Sequence, residues 1–181
     1  MRKFLVVATL FAMILVPSAA RAGFILEASY GKGYQVSPTP RFWEQSNLEL
    51  SPGYAPSLPV LSMLKFQLGI VMDIADGSAG NKTNLQIRPM VSLVPPVLPV
   101  YGRVIFVVNN LLDRGGKREI AYGAALGARI GIPSITVLPG MGVFAEVGAL
   151  PRSREFVNTD LTTSSKRAWV VEGRAGAYLY F

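Results

Sequence analysis

The side chains that could carry chemistry are few and restricted in type. The chain has 181 residues with 18 Lys and Arg and 11 Asp and Glu, but neither His nor Cys. Without His, the usual general base of serine hydrolases and the commonest metal ligand are both missing. Without Cys there is no disulfide, no thiolate ligand and no lipoprotein acylation site. A Ser-Lys nucleophile pair has one formal candidate, Ser164-Ser165 with Lys166, which reads better as an ordinary polar loop. The run Asp113-Arg114-Gly115-Gly116-Lys117-Arg118-Glu119 looks like a phosphate loop but lacks the Gly-Lys-Ser/Thr ending. The expectation is therefore a protein that is not an enzyme and that has no metal site and no cofactor.

The charges themselves are the remaining constellation. Glu27, Glu49, Asp73, Glu146 and Glu172 are matched by Lys65, Arg88, Arg103, Arg129 and Arg174. Each lies on the polar phase of a stretch in which apolar and polar residues alternate, among Gly, Ser, Asn and Gln. Five acids against five bases permit full pairing, with Arg forks bidentate on carboxylates. Such pairing is needed when charges are packed out of water, because each unpaired one costs several kcal/mol.

Strands are the elements that would present these residues on one face. From Leu64 to Ile74 the even positions Leu64, Phe66, Leu68, Ile70, Met72 and Ile74 are all apolar. The odd ones are Lys65, Gln67, Gly69, Val71 and Asp73. Period two sorts these residues cleanly and a helix would scatter them. Seven more segments phase the same way, beginning near Phe24, Leu48, Leu85, Tyr101, Ile120, Val143 and Trp169. Eight strands form an even set, as bacterial transmembrane barrels require. The connections alternate in kind. Lys32 to Ser46, Asp76 to Thr83, Asp113 to Glu119 and Pro151 to Arg167 are polar, whereas Pro56 to Val60, Pro95 to Pro99 and Pro133 to Pro139 are rich in proline and aliphatics. Pro89 falls in mid-strand on the apolar phase, where a bulge or a shift of register is expected. Pro52 and Pro56 are expected to shorten the second strand.

The N-terminal stretch reads as a separate segment. Arg2 and Lys3 precede the apolar run from Phe4 to Val16, Pro17-Ser18 ends it, and Ala20-Arg21-Ala22 offers a small-residue cleavage site. This is the three-part secretory signal, shorter than the ~20 residues of a membrane-spanning helix. The expected organisation is a signal peptide over 1–22 and a barrel domain over 23–181. Removing the signal leaves 15 bases against 11 acids, which lowers the formal charge from +7 to +4. That excess suits anionic lipid or polysaccharide and is no nucleic-acid footprint. Charged residues make up 16% of the chain, against about 25% in soluble domains.

With its strands phased, the chain resembles the small eight-stranded outer-membrane barrels of the OmpA/OmpX type, from Phe24 to Phe181. The most specific residues are the last nine, Gly173 to Phe181, with Ala175, Ala177, Leu179 and the terminal aromatic Phe181 at alternate places. The resemblance implies that these four serve as an assembly signal read by the outer-membrane assembly machinery. It departs at Leu179, where the family more often has an aromatic. It also implies a monomeric, all-β, antiparallel up-and-down transmembrane barrel whose lumen is plugged or gated by ion pairs. Tyr30, Tyr54, Trp169 and Phe181 are candidates for interfacial girdles.

Three functions compete at this level. The leading one is a structural or surface-contact role in the outer membrane of a Gram-negative cell. There Arg114, Lys117, Arg118, Arg152, Arg154, Lys166 and Arg167 of the loops could meet lipopolysaccharide phosphates. The second is a narrow gated pore, with Glu172, Arg174, Arg103 and Arg129 as the rearranging charges. The third is a soluble periplasmic barrel of lipocalin type that binds an apolar ligand.

Overall fold

The structure is a computed structural model that describes residues 23–37, 40–56, 61–75, 84–95, 98–108, 120–132, 139–153 and 167–181. The expected signal peptide, most of each loop and parts of the three short turns lie outside these residues. Eight strands follow in chain order: β1 (Gly23–Ser37), β2 (Arg41–Ala55), β3 (Leu64–Ala75), β4 (Asn84–Leu93), β5 (Val100–Val108), β6 (Ile120–Ile132), β7 (Gly140–Ser153) and β8 (Arg167–Tyr180). A single 3-10 turn at Leu61–Met63 precedes β3. Each strand pairs antiparallel with the next, and β1 pairs with β8, so the sheet closes into an up-and-down barrel without an edge. At the closing seam Phe181 N–H donates to the Phe24 carbonyl at 2.9 Å, and the two rings lie 6.2 Å apart.

Alternation dictates the two faces. Phe24, Tyr30, Leu48, Leu50, Phe66, Leu68, Ile70, Val104, Phe106, Leu126, Val143 and Val147 stand exposed outside, while the residues between them are covered. Eight strands leave an interior only wide enough for its own side chains, and here it is filled. Near the turn end Ile25, Ala55 and Tyr180 cluster, as do Val94, Tyr101 and Phe144 with Tyr178 packed against them. On the β4–β7 wall Met90, Ile105, Val107, Ala121, Ala125 and Leu150 form a dry patch. Charges occupy the space between.

Several sequence expectations are corrected by the pairing. Most of the stretch from Lys32 to Ser46 is strand, since β1 runs to Ser37 and β2 starts at Arg41. Alternation runs on through Gly33 and Gln35 inside and Lys32, Tyr34 and Val36 outside, and Tyr34 pairs with Phe42. The extension brings a register shift between Lys32 and Tyr34, at the rim where bulges are common. It also puts one charge, Lys32, on the outer face. The loop expected over Pro151 to Arg167 is trimmed as well, because β7 runs to Ser153 opposite Arg167 of β8.

Pro52 does not shorten β2, which is 15 residues long, and Pro89 causes no bulge. Leu50 pairs with Ile70 and Gly53 with Gln67 in one register, but Ser51 and Pro52 have no partners in β3. Likewise Ile87 pairs with Val108 and Met90 with Ile105, while Arg88 and Pro89 have none in β5. On their other sides Pro52 opposes Leu26 and Pro89 opposes Leu68 without a break. A missing N–H therefore opens two rungs of one ladder, and closure of the barrel holds the register on either side.

Candidate functional site

Period-two geometry turns Glu27 (β1), Glu49 (β2), Lys65 (β3), Arg88 (β4), Arg103 (β5), Glu146 (β7), Glu172 and Arg174 (β8) inward, each less than a tenth exposed. Arg129 of β6 also faces inward and is half-buried. Asp73 lies in β3 opposite Asn47 and Asn84, but its side chain lies outside the described part. Seven of these residues form one connected network.

Arg88, with no exposed surface, is the anchor of the upper half. Its Nη1 donates to Glu172 Oε1 at 2.8 Å and to Glu49 Oε2 at 3.2 Å, and its Nη2 reaches Glu172 Oε2 at 3.3 Å. The far side of the guanidinium is satisfied by Gln86 Oε1, 3.3 Å from Nε. Arg174 pairs with Glu49 and with Glu146, and its Nε lies 3.4 Å from Glu172 Oε1. Two arginines and two glutamates thus close a ring, Arg88–Glu49–Arg174–Glu172.

Glu146 links that ring to a second group. Arg103 Nη1 lies 3.2 Å from Glu146 Oε2, and Arg103 Nη2 donates to Glu27 Oε2 at 2.7 Å. The remaining Arg103 donors go to Ser92 Oγ at 2.8 Å and Gln67 Oε1 at 3.1 Å. Tyr101 donates its hydroxyl to Glu146 Oε2 at 2.6 Å, and Ser51 donates to Glu49 Oε1 at 2.7 Å. Charge-assisted bonds of this kind are the strong ones, and a buried pair is tolerated only when its spare lone pairs and protons are also used.

Lys65 and Arg129 do not join this network. Both enter from the turn end, where among the described residues Glu27 is the carboxylate that attracts each, and Arg103 holds it. They lie instead over aromatic rings, Lys65 Nζ 5.6 Å from the Tyr180 centroid and Arg129 Cζ 5.7 Å from that of Tyr178. Period-two phasing already turned Tyr101, Phe144 and Tyr178 inward, but nothing in composition marked them as partners of cations. Tyr180, buried on the same inward phase as Tyr178, carries no such mark either. Gln67, Gln86, Ser51 and Ser92, which bridge the charges, were legible only as polar residues.

Glycines make room for the inward rings. A Cβ on Gly127 would sit 2.5 Å from the Tyr101 ring, one on Gly176 would sit 2.9 Å from the Phe144 ring, and one on Gly131 would collide with the Tyr178 hydroxyl. The Tyr101 and Phe144 rings lie over a glycine of the adjacent strand, and Tyr178 of β8 reaches past β7 to Gly131 of β6. Ala175, Ala177, Leu179 and Phe181 share the opposite, outer phase of β8 and its end, with Phe181 more than half exposed.

Chemically this arrangement can hold and cross-link; it has no nucleophile poised beside a free base. Every carboxylate of the network is committed to an arginine, and side chains fill the space around it.

Comparison with known proteins adds little. No family model matches the chain, and no curated protein matches it. Among solved structures, the crystal structure of Neisserial surface protein A (NspA) is similar at a TM-score of 0.49 and 14% sequence identity, over 87% of this chain and 97% of that one. The barrel described above rests on its own strand pairing.

Proposed function

We propose that the chain is an outer-membrane barrel with a structural or surface-contact role and a plugged, non-conducting interior. One observation carries this reading: the apolar side chains stand outside and the charges lie within. Among the described residues Lys32 is the sole charged side chain on the outer face. Burying that face in lipid removes the penalty that water would impose on so large an apolar surface.

The dimensions agree. Phe24, Tyr54, Phe66 and Phe181 ring the turn end, and Tyr34, Tyr122 and Trp169 stand toward the loop end. Phe24 and Tyr34 are ten residues apart on β1, roughly 33 Å along a strand or about 25 Å after a tilt near 40°. A transmembrane barrel shows an apolar band of about 25 Å between aromatic girdles.

Export by the N-terminal signal and insertion by the assembly machinery through Ala175, Ala177, Leu179 and Phe181 complete the proposal. The partners are then outer-membrane lipid and lipopolysaccharide, met by the basic loops, with the barrel acting as a monomer. Fractionation tests it: the protein is expected in the outer-membrane pellet, and recovery in osmotic-shock fluid would overturn the reading. The folded protein is expected to give no reproducible single-channel steps in a planar bilayer, and steps that appear with wild type would replace the plug with the pore.

A further inference from the structure

We propose that the turn end of the barrel interior is a binding site for a small oxyanion of phosphate type, held by Lys65 and Arg129. The observation is a surplus of cations over carboxylates. Lys65 is 8% exposed, and neither it nor Arg129 has a carboxylate within ion-pair distance among the described residues. Arg103 and Arg129 both act on Lys65 repulsively, and Glu27, which among the described residues attracts it, is 2.7 Å from Arg103. Nearby, Gln67 uses its Oε1 for Arg103 and Ser92, while its Nε2 is buried with no acceptor. Two cations without a carboxylate partner and one buried amide without an acceptor thus belong to this part of the interior.

The three short turns supply no further side-chain acid at this end. Residues 56–63, 93–100 and 132–139, which include the three short turns, contain neither Asp nor Glu. A tyrosine face attracts a cation but cannot neutralise it, and an unpaired charge removed from water is costly. A tetrahedral oxyanion answers all three deficits, since it offers several acceptors and one or two negative charges. Glu27, Lys65, Tyr101, Arg103, Arg129 and Tyr178 line this end so closely that no water-sized sphere fits between them. The anion therefore enters as Lys65 and Arg129 swing off the Tyr180 and Tyr178 rings, and the rings remain as the walls of the site. The inference needs only the interior geometry, so it stands or falls independently of the membrane assignment.

The experiment is a titration of the folded full-length barrel in zwitterionic detergent with inorganic phosphate, followed by calorimetry and by the Arg129 Nε–H resonance. Saturable one-to-one binding is expected with a dissociation constant on the order of 1 mM, together with a shift at Arg129 and none at Arg88. The Lys65→Gln/Arg129→Gln double variant should bind at least about tenfold more weakly, and Lys32→Gln should bind like wild type. The same resonance in nanodiscs of phosphatidylglycerol against phosphatidylcholine separates a lipid headgroup from the free ion: a shift with the anionic lipid alone assigns the site to the headgroup. Absence of any wild-type shift with phosphate and with phosphatidylglycerol overturns the proposal without recourse to a variant, as does undiminished binding by a folded double variant.

Discussion

Arg174 shows what a single buried charge does here. It meets Glu49, Glu146 and Glu172 at once, so its removal leaves three carboxylates short of a partner. Breaking a buried pair by deleting one member costs about 3–5 kcal/mol. Arg174→Glu adds repulsion to that loss and is expected to abolish folding or to lower the urea midpoint by at least that much. Arg152→Glu, at the loop end of β7, should stay within about 0.5 kcal/mol of wild type; equal tolerance of both reversals would mean that Arg174 does not hold a packed interior. Tyr101→Phe removes one short bond to Glu146 and is expected to cost about 1.5–3 kcal/mol, the range for a hydrogen bond to a charged group. That such residues face inward was readable from their phase. Which acid meets which base was not, because partners such as Arg88 and Glu172 lie 84 residues apart. Strand tilt and register decide which of them arrive at one level.

Eight alternating segments were legible because period two leaves a strong mark when one face is charged and the other apolar. The ends of β1 and β2 were not. Gly31-Lys32-Gly33 has the composition of a turn, and only its pairing with β2 and β8 shows that it continues a strand. The prolines misled for a related reason: proline argues against a central strand, but closure holds Pro52 and Pro89 in place while one ladder lapses. Pro89→Val returns the N–H and a β-branched side chain at an outward position. The amide at 89 should then be protected from hydrogen exchange and the barrel stabilised, by about 0.5–1 kcal/mol on the scale of β-propensity. An unprotected amide or a lower midpoint would show that the opened rungs answer some other constraint. Gly127→Ala meets the Tyr101 ring at 2.5 Å and is expected to cost about 1–3 kcal/mol by overpacking.

For the whole molecule the outer surface sets the test. A charge placed outward at mid-height, as in Leu68→Arg, should cost about 2–4 kcal/mol if lipid surrounds the barrel. Refolding into vesicles, followed by urea titration, measures it; a neutral effect would mean that water reaches that face. Deletion of Phe181 should reduce outer-membrane levels in cells while sparing export, and unchanged levels would remove the terminal residue from the assembly signal.

Closure also fixes an order of events. Glu49 waits for Arg174 across 125 residues, and Arg88 waits for Glu172 across 84. Until β8 arrives, Glu49, Arg88 and Glu146 lack the Arg174 and Glu172 halves of their pairs, so an incomplete sheet would carry partly unmatched charge into an apolar medium. Contacts so distant in sequence are the slow ones in folding. The final strand thus acts as a clock: the pairs of Glu172 and Arg174, which complete the network, form only when β8 closes the sheet.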